Sequence, residues 1–165
     1  MGKMQEVAMN IHLPKVTTAT ACKIVRLDRD RFNEAVAAGY LPCVPETIPG
    51  RARLFLPDDL LSLWFFRSLM EDGFSREMAG YIACAVAKAA RHYPDAPAIS
   101  YVETYFKGGA AYPAHQVPDY SQWEKDGFTF EGTDIRKVTT FRVSKVRELI
   151  AHHTAVETST FGPED

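Results

Sequence analysis

The alternation of apolar and polar positions changes character part-way along the chain. Up to His92 it has helical spacing, and beyond Pro97 it alternates with the period of a strand. Within Thr20 to Leu27, Ala21, Ile24 and Val25 share one helical face, behind the N-cap types Thr17, Thr18 and Thr20. Asp28 is the next cap, and its carboxylate suits the positive end of a helix from Arg29 to Ala38. Phe32, Ala35 and Val36 form the buried side of that helix, while Arg29, Asp30, Arg31, Asn33 and Glu34 take the remaining surface. Gly39 supplies a left-handed terminus, after which Tyr40 and Leu41 turn back into the core. Two short helices joined by about three residues, the second with an arginine-bearing N-terminal face, make a helix-turn-helix pattern.

Three prolines between Pro42 and Pro49 exclude a helix there. Residues Thr47 to Phe55 read as a small hairpin with Pro49-Gly50 at its tip and Arg53-Leu54-Phe55 as its return strand. Arg51 and Arg53 then share strand parity and point to one side. Pro57 opens a third helix with Asp58 and Asp59 near its N-terminus. That helix, Leu60 to Met70, is apolar almost all round and so is buried on more than one side. Ser75 begins a fourth helix reaching about His92, rich in alanine and open to close approach by another helix.

After the Pro94–Pro97 linker, Ile99 to Phe106 reads as a strand and Gly108 to Tyr120 as a loop. Gly127 to Glu131 and Val138 to Val143 read as two further strands, and Ser144 to His153 as a terminal helix. Met1 to Val16 reads as a loose leader and Thr154 to Asp165 as a frayed tail.

Composition changes this picture little. Apolar residues make up 46% and charged residues 24% of the 165-residue chain, ordinary values for a globular protein. No apolar run approaches the roughly 20 residues of a membrane helix, and no secretory signal is evident, so the expected compartment is the cytoplasm. Cys22, Cys43 and Cys84 are odd in number and form no C-x-x-C pair, which argues against a disulfide framework or a structural zinc site. The net charge of −2 does not advertise nucleic acid. The local distribution does: Lys15, Lys23, Arg26, Arg29, Arg31, Arg51 and Arg53 stand against Asp28, Asp30, Glu34 and Glu46.

Taken in order, the pieces from Thr17 to Ala83 resemble the DNA-binding domain of MerR-type regulators. Thr20–Leu27 matches the first helix, and Asp28-Arg29-Asp30-Arg31-Phe32 the start of the recognition helix. Ala38-Gly39-Tyr40-Leu41-Pro42 matches its end, and Gly50-Arg51-Ala52-Arg53-Leu54-Phe55 the wing. Asp58-Asp59-Leu60 and Leu69-Met70-Glu71-Asp72-Gly73-Phe74-Ser75 match the third helix and the turn after it. The resemblance implies a winged helix-turn-helix domain over residues 15–93; the pattern beyond it, read from the residues, is a small sheet-plus-helix region over 98–154 for dimerisation or partner contact, which makes the chain α+β. The resemblance also implies a dimeric transcription factor that places Arg29, Arg31, Asn33 and Glu34 in a major groove, and Arg53 on phosphates.

Chemistry agrees with those positions. Asn33 has the geometry to read adenine, Arg31 guanine, and Glu34 cytosine unless it pairs with Arg31 or Lys23. The guanidiniums of Arg51 and Arg53 fit backbone phosphate. The expected partners are double-stranded DNA, a second copy of the chain, and RNA polymerase or another regulator at the C-terminal region; no membrane, metal or cofactor is expected. His115, His152 and His153 lack metal-ligand spacing. No nucleophile motif or phosphate-cradling glycine loop is present, so no enzymatic activity is expected. Two alternatives remain: a protein-interaction module such as an antitoxin or adaptor, and an excisionase-like architectural DNA-binding factor.

Overall fold

A computed structural model describes residues 15–160. The leader therefore lies outside the described residues as far as residue 14, and the tail from residue 161. The chain is α+β. Its elements are β1 (Val16–Thr17), α1 (Thr18–Val25), α2 (Arg29–Ala37), β2 (Leu54–Phe55), α3 (Asp59–Glu71) and α4 (Arg76–His92). They continue with β3 (Ile99–Thr104), β4 (Gly109–Pro113), a 3₁₀ turn (Ala114–Gln116), α5 (Tyr120–Trp123), β5 (Ile135–Phe141) and α6 (Val143–Thr160).

Local chemistry explains the helix ends in the first half. The hydroxyl of Thr17 accepts from the Thr20 amide at the start of α1, and the Asp28 carboxylate accepts from Arg31 N (3.0 Å) at the start of α2. The hydroxyl of Ser75 does the same for Met78 N (3.2 Å) at the start of α4. At the end of α2, Gly39 adopts φ 79°, Tyr40 N donates to Ala35 O and Gly39 N to Val36 O. These are the two bonds of a Schellman motif.

The arginine loop differs from a hairpin. Leu54–Phe55 does not pair back on Thr47–Pro49; it pairs antiparallel with Val16–Thr17, ahead of α1. Arg51 and Arg53 precede that two-residue strand, so strand parity does not govern their directions. Phe55 is fully buried against Phe32, with ring centroids 6.0 Å apart, and this anchor fixes where the strand lies.

In the second half, β3 is the central strand of the antiparallel sheet β4-β3-β5. The segment expected to be a loop from Gly108 supplies β4, in which Gly109, Ala110, Ala111 and Pro113 are poor strand residues and Tyr112 alone carries a strand signal. Gly109 permits close packing, because a Cβ there would collide with the Tyr101 ring. No strand forms over Gly127–Glu131. Glu131 (φ 52°) and Gly132 (φ 79°) make a tight turn that leaves only a bridge between Phe130 and Thr133. The last strand is Ile135–Phe141, three residues earlier than the alternation suggests at its start. The terminal helix begins at Val143 and continues past His153 to Thr160. Within this extension the hydroxyls of Thr154 and Thr158 donate to the carbonyls of Ile150 and Thr154, one turn back, so these side chains satisfy themselves on the helix backbone.

The apolar core is continuous across both halves. It takes Ile24, Phe32, Leu41 and Phe55 from the first part, Ile99, Tyr101, Val143 and Ile150 from the second, and most of α3 between them. Helix α3 packs against α1, α4 and α6. Phe65 meets Phe141 edge-on at 5.1 Å, and Trp64 stacks on His153 at 6.1 Å. Arg147 of α6 bonds Asp58 Oδ1 (3.1 Å) ahead of α3 and Ala90 O (3.2 Å) near the end of α4.

The cysteine arithmetic misleads. Cys43 and Cys84 form a disulfide, with Cα atoms 5.5 Å apart across 41 residues of sequence, and only Cys22 is free. Pairing depends on the loop after α2 folding against α4, which no local spacing reveals. Among the described residues, no helix is long and apolar enough to cross a membrane.

Candidate nucleic-acid interface

Helix α2 stands on its apolar face with its polar face open. Phe32 and Ala35 are fully buried, whereas Arg29, Asp30, Arg31, Asn33, Glu34 and Ala37 are exposed. Arg29 and Asn33 lie one turn apart and share a flank. Arg31 lies on the opposite flank. There it borders a recess of about 440 Å³ with Glu34, Met70, Phe74 and Arg76. The Glu34 carboxylate is engaged within the protein: it pairs with Arg76 at 2.8 Å, not with Arg31 or Lys23 as the sequence suggests. Both partners are exposed, so the pair contributes little stability. It does hold the carboxylate towards α4.

Of the loop arginines, Arg53 reaches the other flank. Arg51 N donates to Ile48 O (2.9 Å), with Pro49 and Gly50 (φ 79°) at the centre, the signature of a type II turn. Arg51 is exposed at this turn. Arg53 is half-buried, with its Cζ 5.6 Å from the Phe32 ring centroid. Its Nε is enclosed with no hydrogen-bond partner. Arg53 also borders a recess with Val36, which lies one turn beyond Phe32. The loop arginine is thus braced on α2 itself. The geometry brings Arg53 to the Arg29–Asn33 flank and sets Arg31 and Glu34 on the other.

Arg26 was counted in the local charge of the sequence but given no contact there. It sits in the turn between α1 and α2 at φ 58°, a left-handed conformation that costs a side-chain-bearing residue about 1 kcal/mol or more. Leu27 N donates to Cys22 O (2.9 Å) across this turn. The available signal was the helix end itself, where glycine is the expected residue and an arginine stands instead. Its side chain is exposed beside the start of α2.

Arg67 is basic but committed to the fold. Its Nε donates to Val25 O (2.6 Å) at the end of α1, and its guanidinium pairs with Glu71 and lies over Trp64. Beneath the turn, burial pushes the Cys22 thiol up to about 11, partly offset by nearby Arg29. Cys22 is therefore an inert core residue at neutral pH.

No protein-family model matches the chain, and no curated protein matches it.

Proposed function

We propose that the chain is a sequence-specific DNA-binding regulator that uses α2 in a major groove and the Arg51–Arg53 loop on the flanking backbone. The observation that carries this reading is an exposed, firmly capped α2 with basic side chains on both flanks. A helix seated in a groove has base edges beneath it and phosphates along its walls, so basic side chains on both flanks suit that position. Asn33 and Arg31 are assigned to base edges, and Arg51 and Arg53 to phosphates. Glu34 is given the role of orienting Arg76 and α4, with base contact secondary. The winged helix-turn-helix description belongs to this proposal, as does a homodimer on a two-fold-related site. No catalytic step is part of it.

The test is genome-wide capture of DNA fragments by the purified protein, followed by affinity measurements on captured sequences. Arg31→Ala is expected to weaken the preferred site about 10-fold or more and to lose preference there. Arg53→Ala is expected to weaken all sequences alike and to reduce the salt dependence by about one phosphate contact. Capture of no fragment, or binding indifferent to both substitutions, overturns the proposal.

A second reading, a protein-interaction module, is favoured by one feature. At the tip of the β3–β4 hairpin, Tyr105 and Phe106 are 61% and 88% exposed. Aromatic residues are enriched in the cores of protein interfaces, and two adjacent ones stand out from this hairpin tip. An excisionase-like role differs from the first reading only in how bound DNA is used, and cooperative bending of the captured fragments would distinguish it.

A further inference from the structure

We infer that the free edge of β4 takes up an extended, acidic peptide segment of another protein, which adds to the sheet as a further strand beside α4. The register defines which backbone groups are available. Ile99 stands opposite Pro113 and Glu103 opposite Gly109. Thr104 N donates to Gly108 O (2.9 Å) and Ala114 N to Ala98 O (3.0 Å), one at each end of that ladder. In an antiparallel pair every second residue bonds the partner strand, and those between turn their N–H and C=O groups the other way. Gly108, Ala110, Tyr112 and Ala114 therefore bond towards β3, and Gly109 and Ala111 present their backbone groups outwards. Among the described residues, no strand lies on that side of β4.

The two edges of the sheet are built differently. β5 carries the exposed Arg136 and Lys137 and a register shift at Glu103 and Thr104, features that discourage a further strand. β4 carries Gly109, Ala110 and Ala111, whose small side chains leave the backbone uncovered. Ala111 stands opposite Tyr101, on the side of the sheet that joins the core. A hollow of about 590 Å³ lies between this edge and α4, bounded by Tyr81, Ala85, Lys88 and Tyr93. A strand added in register with Gly109 and Ala111 directs two alternate side chains into it. Charge selects the partner. Lys88 is exposed and has no ion-pair partner among the described residues, and Arg91 meets Asp59 only at 3.9 Å. The segment that complements this edge has apolar side chains at two alternate positions and carboxylates flanking them on the same side. A second copy of β4 does not fit, because Gly109–Pro113 contains no acidic residue.

The inference needs neither the DNA contacts proposed for α2 nor the exposed hairpin tip, and binding is measured without DNA, so each reading can fail alone. The probe is a fluorescein-labelled seven-residue peptide with valine at its third and fifth positions, glutamate at both ends and threonine elsewhere. Its binding to the full chain is followed by fluorescence anisotropy. N-methylation of both valine amides removes the donors that would meet the carbonyls of Gly109 and Ala111, and is expected to weaken binding about 10-fold or more. N-methylation of the threonine between them, whose amide faces away from β4, is expected to change it by less than about 2-fold. Ala111→Pro removes one outward N–H and leaves the bonds to β3 in place, as proline at a strand edge does, with an expected loss of about 10-fold. Lys88→Glu is expected to weaken the glutamate peptide and to bind a version with lysine at both ends instead. Lys88 is exposed, so unchanged thermal unfolding of that variant keeps the charge test decisive even if Ala111→Pro fails to fold. No anisotropy change with the peptide, equal losses from the two methylations, or indifference to Lys88→Glu overturns the inference. Pairing of β4 with a second copy in place of the peptide, seen as a dimer that Ala111→Pro abolishes, also overturns it.

Discussion

Arg26 holds a conformation that glycine adopts without strain, yet it carries a long, exposed basic side chain in the turn before α2. Two effects are therefore separable in one substitution. Arg26→Gly is expected to stabilise the fold by about 1 kcal/mol, by removing the left-handed penalty, and to raise the melting temperature. If Arg26 touches a phosphate, the same substitution weakens DNA binding and lowers its salt slope by about one unit. Melting and binding measured on one preparation would expose either a loss of stability or an unchanged affinity, each contrary to expectation. At this scale the sequence was informative wherever a residue acts on its immediate neighbours. Asp28 and Ser75 cap the helices they precede, and Gly39 ends the helix it follows. The Glu34–Arg76 pair and the stacking of Arg53 on Phe32 were not legible, because each joins side chains brought together only by the folded chain.

Among the elements, the segment after α2 is held at several points. The Schellman turn fixes its direction, the Cys43–Cys84 bridge ties it to α4, and Gly80 lets α4 approach closely. A Cβ at Gly80 would collide with the Tyr40 carbonyl, so α4 reaches this backbone only because the side chain is missing. Closing a loop of this length by a disulfide typically contributes about 2–4 kcal/mol. Cys43→Ser/Cys84→Ser is expected to lose that amount in denaturant unfolding, with α2 still folded. Thiol titration gives an independent check: the unreduced native chain should react slowly or not at all. Denaturation should then expose one thiol, and reduction under denaturing conditions three. Finding three reactive thiols without reduction would contradict the bridge. The bounds of α1 to α4 were readable to within a few residues because caps, glycines and prolines punctuate them. Strand β2 was read at its place but with the wrong partner, and β1 and β4 were not read. A ladder of two residues has almost no periodicity, and β4 opens on Gly109, which lies close against the Tyr101 ring, and continues with two alanines of low strand propensity.

For the molecule as a whole, Arg147 connects what lies before and after the Pro94–Pro97 segment. One guanidinium serves Asp58 near the start of α3 and a carbonyl near the end of α4. Arg147→Ala is expected to cost about 1–3 kcal/mol, because a half-buried charged donor loses several acceptors at once. Lys145→Ala, which removes only the exposed pair with Glu148, should stay within about 0.5 kcal/mol. Equal effects from the two substitutions in calorimetry would show that Arg147 is not a connector. The α+β character of the chain was visible from the change in hydrophobic period. The way its parts adhere was not, since nothing in the alternation of Ile99–Phe141 indicates that Phe141 will meet Phe65.

That meeting of Phe65 with Phe141 has a consequence for inheritance. A protein whose N-terminal part folds unaided can exchange its remaining part by recombination and survive the exchange. Here α3 would emerge from such an exchange with a phenylalanine face bare to water and Asp58 without its arginine. The two parts must therefore change together, and substitutions at Phe65, Phe141, Asp58 and Arg147 should be compensated across the join rather than within either side of it.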